Sequence, residues 1–277
     1  MSLATARSLL FAPGNEERKL EKALAAGADA VVADLEDAVP AGEKEAARTV
    51  TRQALSGARG PSLRAVRVNA VGTKHHEADL QAVTGLDLDV LVLPKATPDA
   101  AAALGRDGPP VVAIVETALG LRHAYETART ERVAALVLGA VDLGIELGLE
   151  PRADGQEVLY ARSRLVLESA AAGIRSPFDL VHVDTRDDQG LEAEARLARS
   201  LGFRGKACIH PAQVEIVNRV FSPTTDEVER ARRVVDAYER GLADGRGAVA
   251  LDGEMIDLPV VERARRVLAE TERSAPE

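Results

Sequence analysis

Tryptophan is absent from the 277 residues, the only aromatics are four Phe and three Tyr, and there is a single cysteine. The core must therefore be built mainly from Val, Leu, Ile and Ala. Cys208 has no partner for an intramolecular disulfide, which fits a reducing cytoplasm. No apolar run reaches the roughly 18 residues of a membrane span, so no transmembrane helix is expected. At the N-terminus only Arg7 precedes a short apolar run that Pro13 and Gly14 interrupt, a poor secretion signal. A basic excess is missing as well. The 35 Lys and Arg against 44 Asp and Glu leave a net charge of −9, whereas a nucleic-acid partner calls for a basic face. An anionic small-molecule substrate stays open, because local positive charge in a cleft can oppose the global sign.

What the chain does have is alternation. The composition, 46% hydrophobic and 29% charged, is that of an ordinary globular protein. Eight apolar runs read Ser8–Phe11, Ala30–Ala33, Arg64–Val68, Val90–Leu93, Val111–Val115, Ala134–Leu138, Leu180–Val183 and Gly205–Ile209. They show little polar alternation, as expected of parallel strands buried on both faces. Between them lie Ala-, Leu-, Glu- and Arg-rich stretches of helical character: Glu16–Ala26, Glu43–Gly57, His76–Gly85, Asp99–Leu104, Leu119–Arg129, Gly155–Ala172 and Leu191–Leu201. Gly27, Gly173 and Gly202 stand where C-caps end such helices.

Eight alternations without a long linker predict a (β/α)8 TIM barrel over residues 1–222. An open doubly wound sheet is the alternative, weakened by the lack of Gly-x-Gly-x-x-Gly after the first strand. Residues 223–277 are expected to form a C-terminal helical extension outside the barrel, with helices at Asp226–Leu242 and Leu258–Glu272. That extension reads as a buttress, a lid or an arm onto a neighbouring subunit. Ser274–Glu277 look disordered.

In such barrels, functional groups come from the C-terminal ends of the strands. The ends here carry Pro13-Gly14-Asn15, Asp34-Leu35-Glu36-Asp37, Arg67-Val68-Asn69, Pro94-Lys95, Glu116-Thr117, Gly139-Ala140-Val141-Asp142 and His210-Pro211. Glu116 and Asp142 are 26 residues apart, one βα unit, which puts them on adjacent strands. Two carboxylates so placed repel each other unless a cation or protons intervene, and Mg²⁺ suits one or two carboxylates. Alternatively each caps a helix, Asp142 that of Leu143–Leu149. Arg67 is a partner for the acidic cluster, a fork for a substrate carboxylate, or both. Lys95 is a candidate Schiff-base lysine, but the acidic rim favours an ion pair. Of the histidines only His210 falls at a strand end. Cys208 reads as a small core hydrophobe.

Seven motifs in this order, namely Arg7-Ser8-Leu9-Leu10-Phe11 with Pro13-Gly14, Asp34-Leu35-Glu36-Asp37-Ala38-Val39, Arg67-Val68-Asn69, Pro94-Lys95, Glu116-Thr117, Gly139-Ala140-Val141-Asp142-Leu143 and Gly205-Lys206-x-x-Ile209-His210-Pro211, carry a family resemblance. Together they resemble the citrate lyase β-subunit-like branch of the HpcH/HpaI aldolase superfamily, over about residues 7 to 270.

The resemblance implies Mg²⁺-dependent cleavage or formation of a 3-hydroxyacyl thioester from an acyl-CoA and a keto acid. Under it, Glu116 and Asp142 are the metal ligands, and Arg67 holds the substrate oxygen with Pro94 and Lys95 nearby. Asp37 and Asp257 join Arg67 as catalytic candidates. Asp257 ends a lid motif, Asp252-Gly253-Glu254-Met255-Ile256-Asp257, that is exchanged between subunits of a homotrimer in relatives. Glu254 departs from the Lys expected there. Arg18, Lys19, Lys22 and His210 are candidates for coenzyme A, though the first three also fit a solvated helix face. Which acid is made or split, whether the thioester is CoA- or carrier-bound and whether its hydrolysis follows, the motifs leave open, as they do a metal-dependent aldolase that acts on free hydroxy-keto acids without CoA.

Overall fold

The computed structural model describes residues 2–57 and 60–274. Residues 275–277, most of the tail expected to be disordered, lie outside the described residues. Among those described, seven parallel strands form one sheet: β1 (Ser8–Pro13), β2 (Ala30–Asp34), β3 (Leu63–Arg67), β4 (Val90–Leu93), β5 (Val111–Val115), β6 (Val133–Leu138) and β7 (Lys206–Cys208). Their order is β6-β5-β4-β3-β2-β1-β7. Two residues bridge the remaining gap, Phe178 to Val137 and Asp179 to Lys206. The Phe178 N–H donates to Leu136 O at 2.9 Å, and the Asp179 N–H donates to Gly205 O at 2.8 Å. The expected barrel is therefore present, with an eighth stave only two residues long.

Around the barrel lie α1 (Glu17–Leu24), α2 (Lys44–Ser56), α3 (His76–Val83), α4 (Pro98–Ala103), α5 (Ala118–Arg122), α6 (Ala124–Ala128), α7 (Ala140–Leu147), α8 (Leu159–Ala172), α9 (Asp188–Leu201) and α10 (Ala212–Val220). Gly27, Gly173 and Gly202 take the left-handed conformation expected of them after helices.

Four expectations need correction. The strand expected at Leu180–Val183 lies earlier, at Phe178–Asp179. Its apolar run was deceptive, because Val183 is exposed. The helix expected at Leu119–Arg129 breaks at His123, whose ψ of 26° leaves the helical range. Asp142 caps nothing, since α7 starts at Ala140 with Gly139 as its N-cap residue. Helix α10 was overlooked, although Gln213, Val214, Ile216, Val217 and Val220 form a buried face at helical spacing.

The period of two along each strand sorts residues into two cores. Ala30 and Val32, Ala65, Val90 and Val92, Val112 and Ile114, and Ala135 and Val137 fill the barrel. The intervening Val31, Ala33, Val66, Leu91, Ala113 and Leu136 face the helices. Continuing the inward parity by two residues reaches Asp34, Arg67, Pro94, Glu116 and Gly139. The last inward layer, at the C-terminal mouth, is thus polar where every layer below it is apolar.

The short stave is held by charge. Arg162, Asp179 and Lys206 are all fully buried. Asp179 takes Arg162 Nε at 2.9 Å and Lys206 Nζ at 2.9 Å. Glu194 on α9 closes the network at 2.9 Å from Arg162 and 3.0 Å from Lys206, and His182 Nδ1 lies 3.1 Å from it. Burial pushes the Asp179 carboxyl up, but Lys206 and Arg162 outweigh it and hold it below the usual carboxylate range.

From Ser222 the chain forms a separate compact unit. It contains α11 (Thr225–Ala243), a hairpin of β8 (Val249–Leu251) and β9 (Glu254–Ile256), and α12 (Leu258–Ser274). Thr224 and Glu227 form a reciprocal capping box at the start of α11. Asp252 and Gly253, at φ 51° and 85°, make the two-residue turn that matches hairpin twist. Val234, Tyr238, Ile256 and Val261 form this unit's core.

Removing one partner from a buried ion network leaves the others uncompensated. Asp179→Asn is expected to lower the unfolding free energy by about 3–5 kcal/mol in urea titrations. A loss below about 1 kcal/mol, the scale of a surface pair, would mean that the network does not hold the barrel closed.

Candidate active site

The inward residues of β2 and β3 meet first. Asp34 and Arg67 are register partners across these strands. Their side chains form a fork, Arg67 Nε to Asp34 Oδ1 at 2.7 Å and Nη2 to Oδ2 at 2.6 Å. Asp34 also accepts the N–H groups of Glu36 at 2.9 Å and Ala38 at 3.1 Å. It thus shapes the turn leaving β2 and aims Arg67 at once. The guanidinium sits 5.5 Å from the Phe11 ring centroid. Its Nη1 lies 2.8 Å from Glu36 Oε2 and 3.5 Å from Asp37 Oδ2. Glu36 Oε2 is buried yet accepts no hydrogen bond, so that 2.8 Å contact is charge attraction without hydrogen-bond alignment.

Lys95 joins this group to the opposite side of the mouth. Its backbone takes the left-handed conformation, φ 49°, uncommon for a residue with a side chain. This turns its N–H onto Glu116 Oε1 at 2.7 Å. The ammonium reaches Glu36 Oε1 at 3.4 Å and Asp142 Oδ2 at 3.2 Å. Three carboxylates therefore converge on one lysine, which is an ion-pair residue here, as the acidic rim suggested.

Glu116 is 5% exposed. Burial pushes its carboxyl up to about 7; the Lys95 N–H opposes this and the Glu36 charge adds to it. Burial likewise raises Glu36, against the pull of Arg67. Burial works against the Lys95 ammonium, but Glu36, Glu116 and Asp142 outweigh it and raise its pKa. Gly139 makes room for Glu116. A Cβ at Gly139 would meet the Glu116 Cβ and, at 2.8 Å, its Oε2. The mouth can thus present acidic oxygens to a cation beside a fixed guanidinium.

Of the residues singled out from the sequence, Asp34, Glu36, Asp37, Arg67, Lys95, Glu116 and Asp142 come together, with Pro94 buried before Lys95. The others make contacts of their own. Arg18, Lys19 and Lys22 are exposed on α1, and Lys19 pairs with Glu16 at 2.6 Å. His210 is exposed, and its Nδ1 accepts the Ala212 N–H at the start of α10. Asp257, in the C-terminal unit, accepts the Val260 N–H at 3.4 Å and so caps α12. Cys208 is a buried thiol pushed up to about 12 by burial, as befits a core residue. Lys44 is absent from the sequence reading, and Gly139 appears there only as part of a motif, not as the space Glu116 needs. Lys44 had a signal, because it shares the buried stripe of α2 with Ala47, Thr51 and Leu55.

A closed parallel barrel with its charged groups gathered at the C-terminal strand ends has the architecture of a barrel enzyme. Residues 7–211 match the HpcH/HpaI aldolase/citrate lyase family. A (3S)-malyl-CoA thioesterase of Cereibacter sphaeroides is 40% identical over 97% of this chain and 95% of that protein. A citrate lyase subunit beta of Leuconostoc mesenteroides subsp. cremoris is 36% identical over 95% and 92%, respectively. The crystal structure of protein CitE from Mycobacterium tuberculosis in complex with magnesium, acetoacetate and coenzyme A is similar at a TM-score of 0.85. It is 36% identical and covers 98% of this chain and 100% of that one. The chain belongs to the HpcH/HpaI aldolase/citrate lyase family of carbon–carbon lyases, as the seven motifs implied.

Because Glu116 is raised in the fold, its neutral form is the one the fold favours. Its contribution is fully present below the ordinary carboxyl value and is lost as pH rises through about 7. In EDTA, Glu116→Gln is therefore expected to gain melting temperature relative to the parent between about pH 5 and pH 8. A difference that stays constant across that range would show that Glu116 is not held neutral.

Proposed function

We propose that the chain is a Mg²⁺-dependent lyase that cleaves or forms the carbon–carbon bond of a 3-hydroxyacyl-CoA of the malyl-CoA or citramalyl-CoA type. The partners of acetyl-CoA are then glyoxylate or pyruvate. The carrying observation is the juxtaposition of a braced guanidinium, Arg67, with a surplus of carboxylates that only partly share one lysine.

Glu116 and Asp142 are the residues proposed to hold the metal. The donor set fits: all oxygen, on adjacent units of the barrel, with Lys95 giving its backbone N–H to Glu116 and its ammonium to Asp142. Among the described residues no three His, Cys, Asp or Glu side chains are arranged to hold a metal ion alone. Magnesium needs only one or two carboxylates, with water and substrate completing its shell. Bound there, it supplies Lewis-acid polarisation of the substrate oxygen.

The rest of the chemistry belongs to side chains. Arg67 has N–H groups left beyond those used by Asp34. We assign it to the oxygen that becomes the keto acid carbonyl, where it stabilises developing negative charge. Asp37, exposed and beside Arg67, and Pro94 and Lys95 complete the substrate contacts. Asp257 is assigned to exchange a proton with the acyl methyl carbon, delivered from a neighbouring subunit of a homotrimer. In that arrangement residues 223–277 act as a lid over a barrel of residues 1–222, and closure excludes water from the enolate. Arg18, Lys19, Lys22 and His210 are assigned to coenzyme A. Arg18, Lys19 and Lys22 are exposed on α1, where phosphates could meet them, with Lys19 exchanging its Glu16 partner.

Hydrolysis of the thioester is a second reading, favoured by the 40% identity to a (3S)-malyl-CoA thioesterase. Cleavage of a citryl thioester is a third, favoured by the citrate lyase subunit beta relative.

With acetyl-CoA and glyoxylate or pyruvate, mass spectrometry is expected to find malyl-CoA or citramalyl-CoA formed only with Mg²⁺. Arg67→Ala should slow the reaction by about 10²–10³, and Glu116→Ala should abolish it. Free malate or citramalate in place of the thioester would favour hydrolysis. Turnover that survives EDTA would overturn the metal assignment.

A further inference from the structure

Lys44 is buried at 8% exposure, at the first position of α2. Burying an ammonium is costly unless every N–H is matched. Here all three are, by Leu35 O at 2.7 Å, Glu36 O at 2.8 Å and Asn69 Oδ1 at 2.9 Å. The acceptors come from two loops, those after β2 and β3. Asn69 is fixed in turn. Its Nδ2 donates to Leu35 O at 2.8 Å and Asp79 Oδ2 at 2.5 Å, and its backbone N–H donates to the same Asp79 oxygen at 2.8 Å. Arg48 Nε braces the other oxygen of Asp79 at 2.8 Å.

Two consecutive carbonyls, of Leu35 and Glu36, are turned onto one ammonium. The backbone of Glu36 thus faces α2 while its carboxylate faces Arg67 and Lys95. At its tip Glu36 meets Arg67 Nη1 at 2.8 Å without hydrogen-bond alignment and Lys95 Nζ at only 3.4 Å, whereas its backbone carbonyl holds the Lys44 ammonium at 2.8 Å. We propose that Lys44 is a positioning residue, whose clamp on the β2 and β3 loops sets the entry of Glu36 into the mouth and, through Glu36, the pose of Arg67. This rests on the assignment of Arg67 to the keto acid. It predicts a split between anion and metal: the clamp acts on the Arg67 side directly and reaches Asp142 only through Lys95, which Glu36 and Asp142 share.

The test is calorimetric binding of Mg²⁺ alone, then of glyoxylate and of pyruvate in saturating Mg²⁺, to the full chain. Lys44→Met and Glu36→Gln are each expected to weaken the keto acid by about tenfold, the scale of lost positioning groups. Lys44→Met should leave Mg²⁺ affinity within about twofold, and the double variant should lose little beyond either single one, because residues acting as one unit are not additive. Losses that multiply in the double variant, or a parallel loss of Mg²⁺, would overturn the proposal. Asn69→Ala loosens the same clamp and is expected to follow the same pattern should Lys44→Met lose its cooperative melt. Loss of that melt in both variants would make the cluster a folding element only and also overturn it. An Arg67→Ala control that binds keto acid like the parent would sink the assignment of Arg67 itself, independently of Lys44.

Discussion

A closed parallel barrel can pack apolar side chains into every interior layer except the last, which meets solvent. In this chain the last layer carries Asp34 and Arg67 as neighbours in register, joined by two hydrogen bonds of 2.7 and 2.6 Å. That fork turns the β2 loop, aims the guanidinium and leaves the other carboxylates of the mouth without it as a full partner. Glu36, Glu116 and Asp142 then share Lys95, which cannot neutralise all three. Burial pushes Glu116 up to about 7, and the Glu36 charge adds to that push. In the proposed site a divalent cation offsets the surplus of carboxylate without further side chains.

The molecule buries charge in two ways, and exposure tells them apart. Around Asp179, Arg162 and Lys206 are sealed and paired with each other and with Glu194. Nothing can reach them, and their work is to hold a stave two residues long in place. At the mouth, Lys95 is 44% and Asp142 37% exposed in their side chains, while Asp34 and Glu36 behind them are nearly buried. Ligands have access to the outer pair and rigidity comes from the inner one. Such division between accessible groups and a fixed shell is what a preorganised site requires.

Most of this was legible in the sequence for a simple reason. Seven of the eight apolar runs overlap a strand, and the inward parity carries directly from core residues such as Val32, Ala65 and Ile114 to Asp34, Arg67 and Glu116. Strand-end chemistry then followed from position alone. The failures occurred where neither period operates. The stave at Phe178–Asp179 is held by ion pairs from α8 and β7, distant in the sequence, so no local pattern marks it. Helix α7 begins at Ala140, inside the motif that contains Asp142, rather than at Leu143. Lys44 looked like one more helix-surface lysine until its place on the stripe with Ala47 and Thr51 was weighed. Gly139 matters only because Glu116 crosses over it, a fact about neighbouring strands and not about spacing.

The surplus of carboxylate at the mouth is proposed to be matched to one divalent cation. Anomalous diffraction from crystals grown with Mn²⁺ in place of Mg²⁺ tests it most directly. The account predicts one strong peak within about 2.0–2.3 Å of a carboxylate oxygen of Glu116 and of Asp142, with Lys95 displaced from Asp142. A peak elsewhere, or none with Lys95 still bridging Glu36 and Asp142, would contradict it.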